Sequence, residues 1–231
     1  MSKNIKILHL ETSTEVCSVA ISVDGKLIAE QNIDNGFAHS ESGTLMVQQC
    51  LKEAGIQIAV LDAVSVSEGP GSYTGLRVGF AMAKGFCFAH NLKLITIPTL
   101  LALVHGLDLK EDDATITAML DARRMEVYTE SYDYNYKVVS PLTALILDAE
   151  SYQKQFAGNT RNVFIGNGAH KVEKWLREGK DQIISAQCRA ADQISIAHSR
   201  YLNNEISDTA YSVPQYLKPP NITVSKKNLL P

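Results

Sequence analysis

Little in this sequence points to a chemistry by its mere presence. It has only four cysteines, Cys17, Cys50, Cys87 and Cys188, scattered among apolar neighbours with no C-x-x-C pair. That excludes a zinc ribbon or a thioredoxin-like site and predicts reduced core thiols in a cytoplasmic protein. The six histidines include no i, i+4 pair, and H-E-x-x-H is absent, which excludes a zincin-type centre. No apolar run reaches membrane-spanning length, and the opening MSKNIKILHLET enters a strand pattern without the apolar segment of a signal peptide. A net charge of −3 gives no general pull toward nucleic acid, so an RNA contact needs a local basic patch or a partner.

What is there is a pattern, repeated. Ile5–Glu11 and Val16–Val23 read as strands, and Asp24-Gly25 turns the chain into a third, Lys26–Asn32. A helix over Ser42–Ala54, closed by Gly55, precedes a strand at Asp62–Ser67. A helix over Thr74–His90, a strand at Lys93–Ile97 and a helix over Thr99–His105 complete the order βββαβαβα. The second half repeats it. Strands at Ala114–Asp121, Met125–Ser131 and Tyr136–Val139 lead to a helix near Asp148–Phe156. A strand at Asn162–Ile165, a helix at Ala169–Arg177, a strand at Gln182–Ser185 and a helix at Ala191–Asn203 follow. This duplicated order is that of the two-lobed α/β actin/hexokinase/Hsp70 (ASKHA) fold. It predicts a first lobe over 1–107, a second over 108–203, and an irregular tail over 204–231 that packs on the first lobe.

The stretch SEGPGSYTGLRVGFAMAKGF invites a phosphate-loop reading and fails it. A Walker A loop from Gly69 needs glycine at position 74, which is Thr74, and lysine after Gly75, which is Leu76. The dinucleotide fingerprint fails at the same threonine. On a helix the residues instead sort into two faces, Gly75, Gly79, Met82 and Phe86 against Arg77, Ala81, Lys84 and Phe88, with Phe80 at the edge. Interior glycines cost about 1 kcal/mol each against alanine, which a close backbone approach would offset. In the preceding helix Val47, Cys50, Leu51 and Ala54 face inward, Leu45 points out among Gln48, Gln49 and Lys52, and Met46 sits at the edge. Apolar residues off the core face of two neighbouring helices point to a protein–protein surface.

The polar candidates for an interlobe site are Glu11, Ser13 and Thr14 on one turn and Asp121 and Arg123 on the other. A carboxylate from each lobe could hold Mg²⁺ or position water; turn capping and an Asp121 pairing with Arg123 or Arg124 is the plainer alternative. His39-Ser40-Glu41 reads as a helix cap, G-x-S-x-G is absent, and Phe164-Ile165-Gly166-Asn167-Gly168 is a strand-to-helix glycine turn.

Taken together, ILHLETSTEVCSVAIS, HSESGTLM, SEGPGSYTGLRVGFAMAKGFCFA, IPTLLAL, LDARRMEVY, FIGNGA and PQYL resemble the TsaB family, also called YeaZ, in order across nearly the whole chain. The resemblance implies a non-catalytic partner of TsaD. With TsaE, that pair makes threonylcarbamoyladenosine beside the anticodon of ANN-reading tRNAs. It implies an interface with TsaD, or with a second copy of the chain, on Leu45, Met46, Gln49, Arg77, Phe80, Ala81, Lys84 and Phe88. It also implies tRNA bound only through the complex, no membrane, and no metal or cofactor of the chain's own. Two departures accompany it. The second metal-ligand position beside His39 is missing, with Gly43 and Asn35 where a histidine would stand. Glu11 replaces the aspartate general among relatives, which puts ATP binding in doubt. A residual ATPase or metal-dependent glycoprotease on Glu11, His39 and Asp121 is the alternative. Direct tRNA contact would use Arg123, Arg124, Lys226 and Lys227.

Overall fold

Turn chemistry and alternation set the first three strands. β1 (Lys6–Glu11), β2 (Cys17–Val23) and β3 (Lys26–Ile33) form an antiparallel meander. Its second turn is the expected Asp24-Gly25, both residues at positive φ, 49° and 73°, the backbone twist that suits a two-residue hairpin. β4 (Ala63–Gly69) joins β1 in parallel after α1 (His39–Ala54), and β5 (Lys93–Pro98) joins β4 after α2 (Tyr73–His90). Ser72 caps α2 by accepting from the Gly75 amide at 3.2 Å, and Asn91, left-handed at φ 52°, ends it. α3 (Thr99–His105) then leads to the second half. This computed structural model describes residues 4–34, 39–107 and 113–218.

The second half uses the same plan. β6 (Ala114–Asp121), β7 (Glu126–Tyr132) and β8 (Val138–Ile146) form the meander, then come α4 (Ala149–Phe156), β9 (Arg161–Ile165), β10 (Asp181–Ile184) and α5 (Ile194–Leu202). The described residues make two five-stranded sheets, ordered β3-β2-β1-β4-β5 and β10-β9-β6-β7-β8, the same order read from opposite ends. Three elements differ from expectation. β8 runs on to Ile146 through Pro141, because it is an edge strand with a register shift opposite Thr129–Ser131, where proline's missing N–H breaks no ladder. Ala169–Trp175 is 3-10 rather than α-helical, and Ala190–Gln193 is a 3-10 turn before α5.

The lobes interlock. α1 and α2 cover one face of the first sheet through Met46, Val47, Cys50, Phe80, Ala83 and Cys87. The other face, at Ile7, Ala63, Ile95 and Ile97, is covered by Ile196 and Ala197 of α5 and by Ala102 of α3. Leu100, Leu103 and Val104 of α3 join the core of the second sheet. Residues 108–203 are thus one lobe along the chain but not in space, since their last helix belongs to the first sheet's packing. The tail bridges Ser207 to Leu94, and its Ala210 carbonyl accepts from Lys84 Nζ at 3.0 Å. The Gln215 amide donates to the Glu68 carbonyl at 2.6 Å, Tyr216 packs on Tyr73 at 4.8 Å, and Lys218 pairs with Glu126 of the second lobe. Among the described residues no helix is long and apolar enough to cross a membrane.

Candidate functional site

The glycine stretch is filled by the protein itself. After a cis Gly69-Pro70 bond, Gly71 lies against the Ser13 carbonyl, Gly75 against the Thr12 carbonyl and Gly79 against the Thr12 hydroxyl; a Cβ at any of the three would overlap those oxygens. The Ser72 amide donates to the Ser13 carbonyl at 2.6 Å, and the Thr12 hydroxyl donates to the Gly75 carbonyl at 2.8 Å. The Gly75/Gly79 face is therefore a close-approach face, as its spacing predicts. Gly85 is not: nothing lies within 4 Å of its would-be Cβ.

Glu11 and Asp121 do not form an interlobe carboxylate pair; each is engaged within its own lobe. Glu11 is fully buried and accepts from the Ser13 amide at 2.6 Å and from the Ser67 hydroxyl. Gln193 Nε2 donates to Ser67 Oγ at 3.0 Å and to the Leu10 carbonyl at 2.9 Å, and Ser65 Oγ donates to Gln193 Oε1 at 2.6 Å. Ser65 has spent its one proton there, so His9 Nδ1–H donates to Ser65 Oγ at 2.7 Å and Ser22 donates to His9 Nε2 at 2.7 Å. Burial holds His9 neutral, pushing its pKa down to about 3. Every donor in the chain Ser22–His9–Ser65–Gln193–Ser67 points toward the Glu11 carboxylate, and such alignment strengthens each bond. Glu11 is the terminus of a buried polar chain rather than a cleft ligand.

Asp121 pairs with Lys171 Nζ at 2.6 Å and accepts from the Arg123 amide at 2.5 Å. Burial alone would raise its pKa, but the Lys171 ammonium and that amide outweigh it and hold the carboxyl below the usual range. The expected pairing with an arginine side chain is replaced by Lys171. Asn167 accepts from the Asp121 amide at 2.9 Å and donates across the cleft to Glu15 at 3.3 Å. Gly166, at φ 100°, presses on the Met119 carbonyl, so this glycine turn is also spent on packing. Ser13 and Thr14 are buried and Arg123 is exposed. Between the lobes Thr14, Glu15, Val16, Leu120, Asn167, Ala186, Gln187 and Cys188 line a cavity of about 10 Å³, enough for at most about one water. The side chain of His39, with Asn35, Lys226 and Lys227, lies outside the described residues.

The candidate interface residues divide. Leu45 is 65% exposed and Phe88 88%, and Gln49, Arg77 and Ala81 are also exposed. Lys84 is half-buried because it holds the tail. Met46 and Phe80, both read as edge positions, are corrected to core: at 5% and 4% exposure they pack in the first-sheet cluster, since the rotation of each helix turns its edge apolar side chain inward. Burial raises the thiols of Cys17, Cys50 and Cys87 to about 11, 12 and 12, and all four cysteines are free and buried. They are not nucleophiles.

Asp192 was not legible as special in the sequence. Burial, aided by the charges of Glu11 and Glu30 and opposed by the Arg189 amide and charge, raises its pKa to about 7. Its carboxylate lies against Gly106 and accepts from the Arg189 amide at 3.0 Å. The folded state therefore holds a proton that the unfolded chain has released. Asp192's contribution is fully present below the unfolded value of 3.8, is lost as pH rises toward 7, and stays lost above it. We expect Asp192→Asn to raise stability at pH 8 by roughly 1–3 kcal/mol, below the ~4 kcal/mol that the full shift implies, because the residue is partly solvated. The gain should vanish near pH 4; urea unfolding at the two pH values checks this, and an equal effect at both would refute it.

The duplicated sheet order, the crossing helices and the junction between them define a two-lobed protein of the actin/hexokinase-like class. Consistent with that, the ADPNP-bound activator of 2-hydroxyisocaproyl-CoA dehydratase from Clostridium difficile shares the fold at 11% identity, with a TM-score of 0.51 over 89% of this chain and 99% of that one. The pattern defining TsaD, tRNA N6-adenosine threonylcarbamoyltransferase, matches residues 36–215. YeaZ from Pseudomonas aeruginosa superimposes with a TM-score of 0.75 at 25% identity, covering 92% of this chain and 100% of that one. The tRNA threonylcarbamoyladenosine biosynthesis protein TsaB of Escherichia coli is 34% identical over 128 residues, 55% of either chain, so this chain spans about half the length of the curated relatives it matches. The chain belongs to the TsaD family, in its TsaB/YeaZ branch.

Proposed function

We propose that this chain is a non-catalytic subunit of a tRNA-modifying assembly. It would work with a TsaD-family transferase and with TsaE to place threonylcarbamoyl on the adenosine beside the anticodon of ANN-reading tRNAs. The role named for its TsaB relatives, tRNA threonylcarbamoyladenosine biosynthesis, supports the pathway. The observation that carries the subunit role is the bare face of α1 and α2, where Leu45 and Phe88 stand free of the core their helices pack against. The polar junction, by contrast, is closed by the chain's own atoms, with Thr12 and Ser13 under α2 and Glu11 engaged by Ser67. A second copy of the chain would compete for the same face, and RNA would be held within the complex.

Ala81→Glu combined with Phe88→Glu tests this, leaving Lys84 to anchor the tail. Both sites are exposed, so the melting temperature should stay constant while affinity for the TsaD-family partner of the same organism falls by roughly 100-fold or more. Threonylcarbamoyladenosine in tRNA hydrolysates should fall to the level of cells lacking the gene. Unchanged association would remove the surface, and unchanged modification in the deletion strain would remove the function. Saturable Mg-ATP binding and turnover by the isolated chain would favour a residual ATPase.

A further inference from the structure

The turn between β6 and β7 is built at a conformational disadvantage. Arg123 and Arg124 are consecutive residues at φ 73° and 51°, the left-handed region that any side chain with a Cβ disfavours and that glycine or asparagine ordinarily fills. The turn is closed by the Glu126 amide on the Arg123 carbonyl at 3.1 Å and by the Ala122 amide on the Glu126 carbonyl at 3.0 Å. At the hairpin Asp24-Gly25 the same chain uses the favourable residues. Both arginines are exposed. The carboxylates that flank the turn are engaged elsewhere, Asp121 by Lys171 and Glu126 by Lys218. Among the described residues neither guanidinium has a hydrogen-bond or ion-pair partner, so two fixed positive charges stand uncompensated on a protein of net charge −3.

We infer that Arg123 and Arg124 form a contact for the phosphodiester backbone of RNA. Guanidinium groups present planar forked donors that match phosphate oxygens, and strain held at exposed residues marks a functional position better than a structural one. The turn belongs to the second sheet, whereas α1 and α2, which carry the bare face, pack on the first, so the two surfaces lie on different lobes. The inference rests on the proposed role in tRNA modification. It adds that this subunit, through its second lobe, contributes phosphate contacts to the assembly.

The test uses the assembled complex of this chain with its TsaD-family partner and an unmodified ANN-reading tRNA transcript, with affinity measured by fluorescence anisotropy across a salt series. Two variants are compared, Arg123→Ala with Arg124→Ala, and Arg123→Asn with Arg124→Gly. The second supplies residues that favour left-handed backbone, so its melting temperature should not fall. Both should bind the transcript about tenfold more weakly near about 0.1 M salt and lower the slope of log K against log salt by roughly one to two units. Arg123→Lys with Arg124→Lys should keep the slope. An unchanged slope in the Asn/Gly variant overturns the inference. So does loss of partner association without loss of RNA affinity per assembled complex, which would make the turn a contact for an acidic protein surface. Failure of the proposed function itself would appear separately, as normal modification in cells lacking the gene.

Discussion

Gly75→Ala will lose roughly 3–5 kcal/mol of stability, enough to leave little folded protein at growth temperature. In a solvent-facing helix the same change would be favourable by about 1 kcal/mol. Here the new Cβ would overlap the Thr12 carbonyl oxygen, which is backbone and cannot rotate away, and would also meet Ser72 Cβ at 3.3 Å. Moving α2 outward to relieve the overlap would break the bond from the Thr12 hydroxyl to the Gly75 carbonyl and pull Leu76 and Phe80 from the core. Gly85→Ala supplies the control. With nothing within 4 Å of its Cβ, this exposed position should gain about 0.5–1 kcal/mol. Urea unfolding of both variants decides the matter, and a Gly75→Ala protein within about 0.5 kcal/mol of the parent would contradict the packing described.

Gln193→Met should cost about 3 kcal/mol with almost no change in side-chain volume. The amide carries the line of buried hydroxyls from the first sheet into the second half of the chain. Its loss removes a bond from Ser65, one from Ser67 and one from the Leu10 carbonyl. Each is buried where water does not replace the partner. The penalty comes from groups left without partners rather than from a cavity. His9 reports on it directly: with the Gln193 Oε1 acceptor gone, the Ser65 hydroxyl can reorient, and the imidazole nitrogen resonances should shift relative to the parent protein. A cost under about 1 kcal/mol together with unchanged resonances would mean the line is not coupled through Gln193.

The elements were legible because local chemistry and tertiary packing agree in them. Asp24-Gly25 turns, Gly55 closes a helix, and the spacing of Gly75 and Gly79 announces a close approach. The strand read as ending at Val139 continues through Pro141 to Ile146, because a proline in a strand is permitted at an edge, and edges are a property of the sheet rather than of the segment. Met46 and Phe80 misled because 100° steps fix angles along a helix but not the helix's rotation on the sheet, and a few tens of degrees turn an edge residue into the core. Glu11 reads in the sequence as an interlobe ligand, whereas the structure buries it within the first lobe. Its partners, Ser67 and, through it, Gln193, are distant in sequence and carry no local signal. Lys171 was missed for the same reason: a lysine in a polar helix start looks solvated until Asp121 is placed beside it.

Because α5 covers the rear of the first sheet, the order of synthesis differs from the order of completion. Ile7, Ala63, Ile95 and Ile97 are made first, and their cover, Ile196 and Ala197, is made about a hundred residues later. At roughly 5–20 residues per second, a nascent chain carries that apolar surface uncovered for several seconds on the ribosome. The first sheet is therefore closed on its rear face only once α5 has been made and has folded back on it, so the first lobe does not complete its packing as a separate unit during translation.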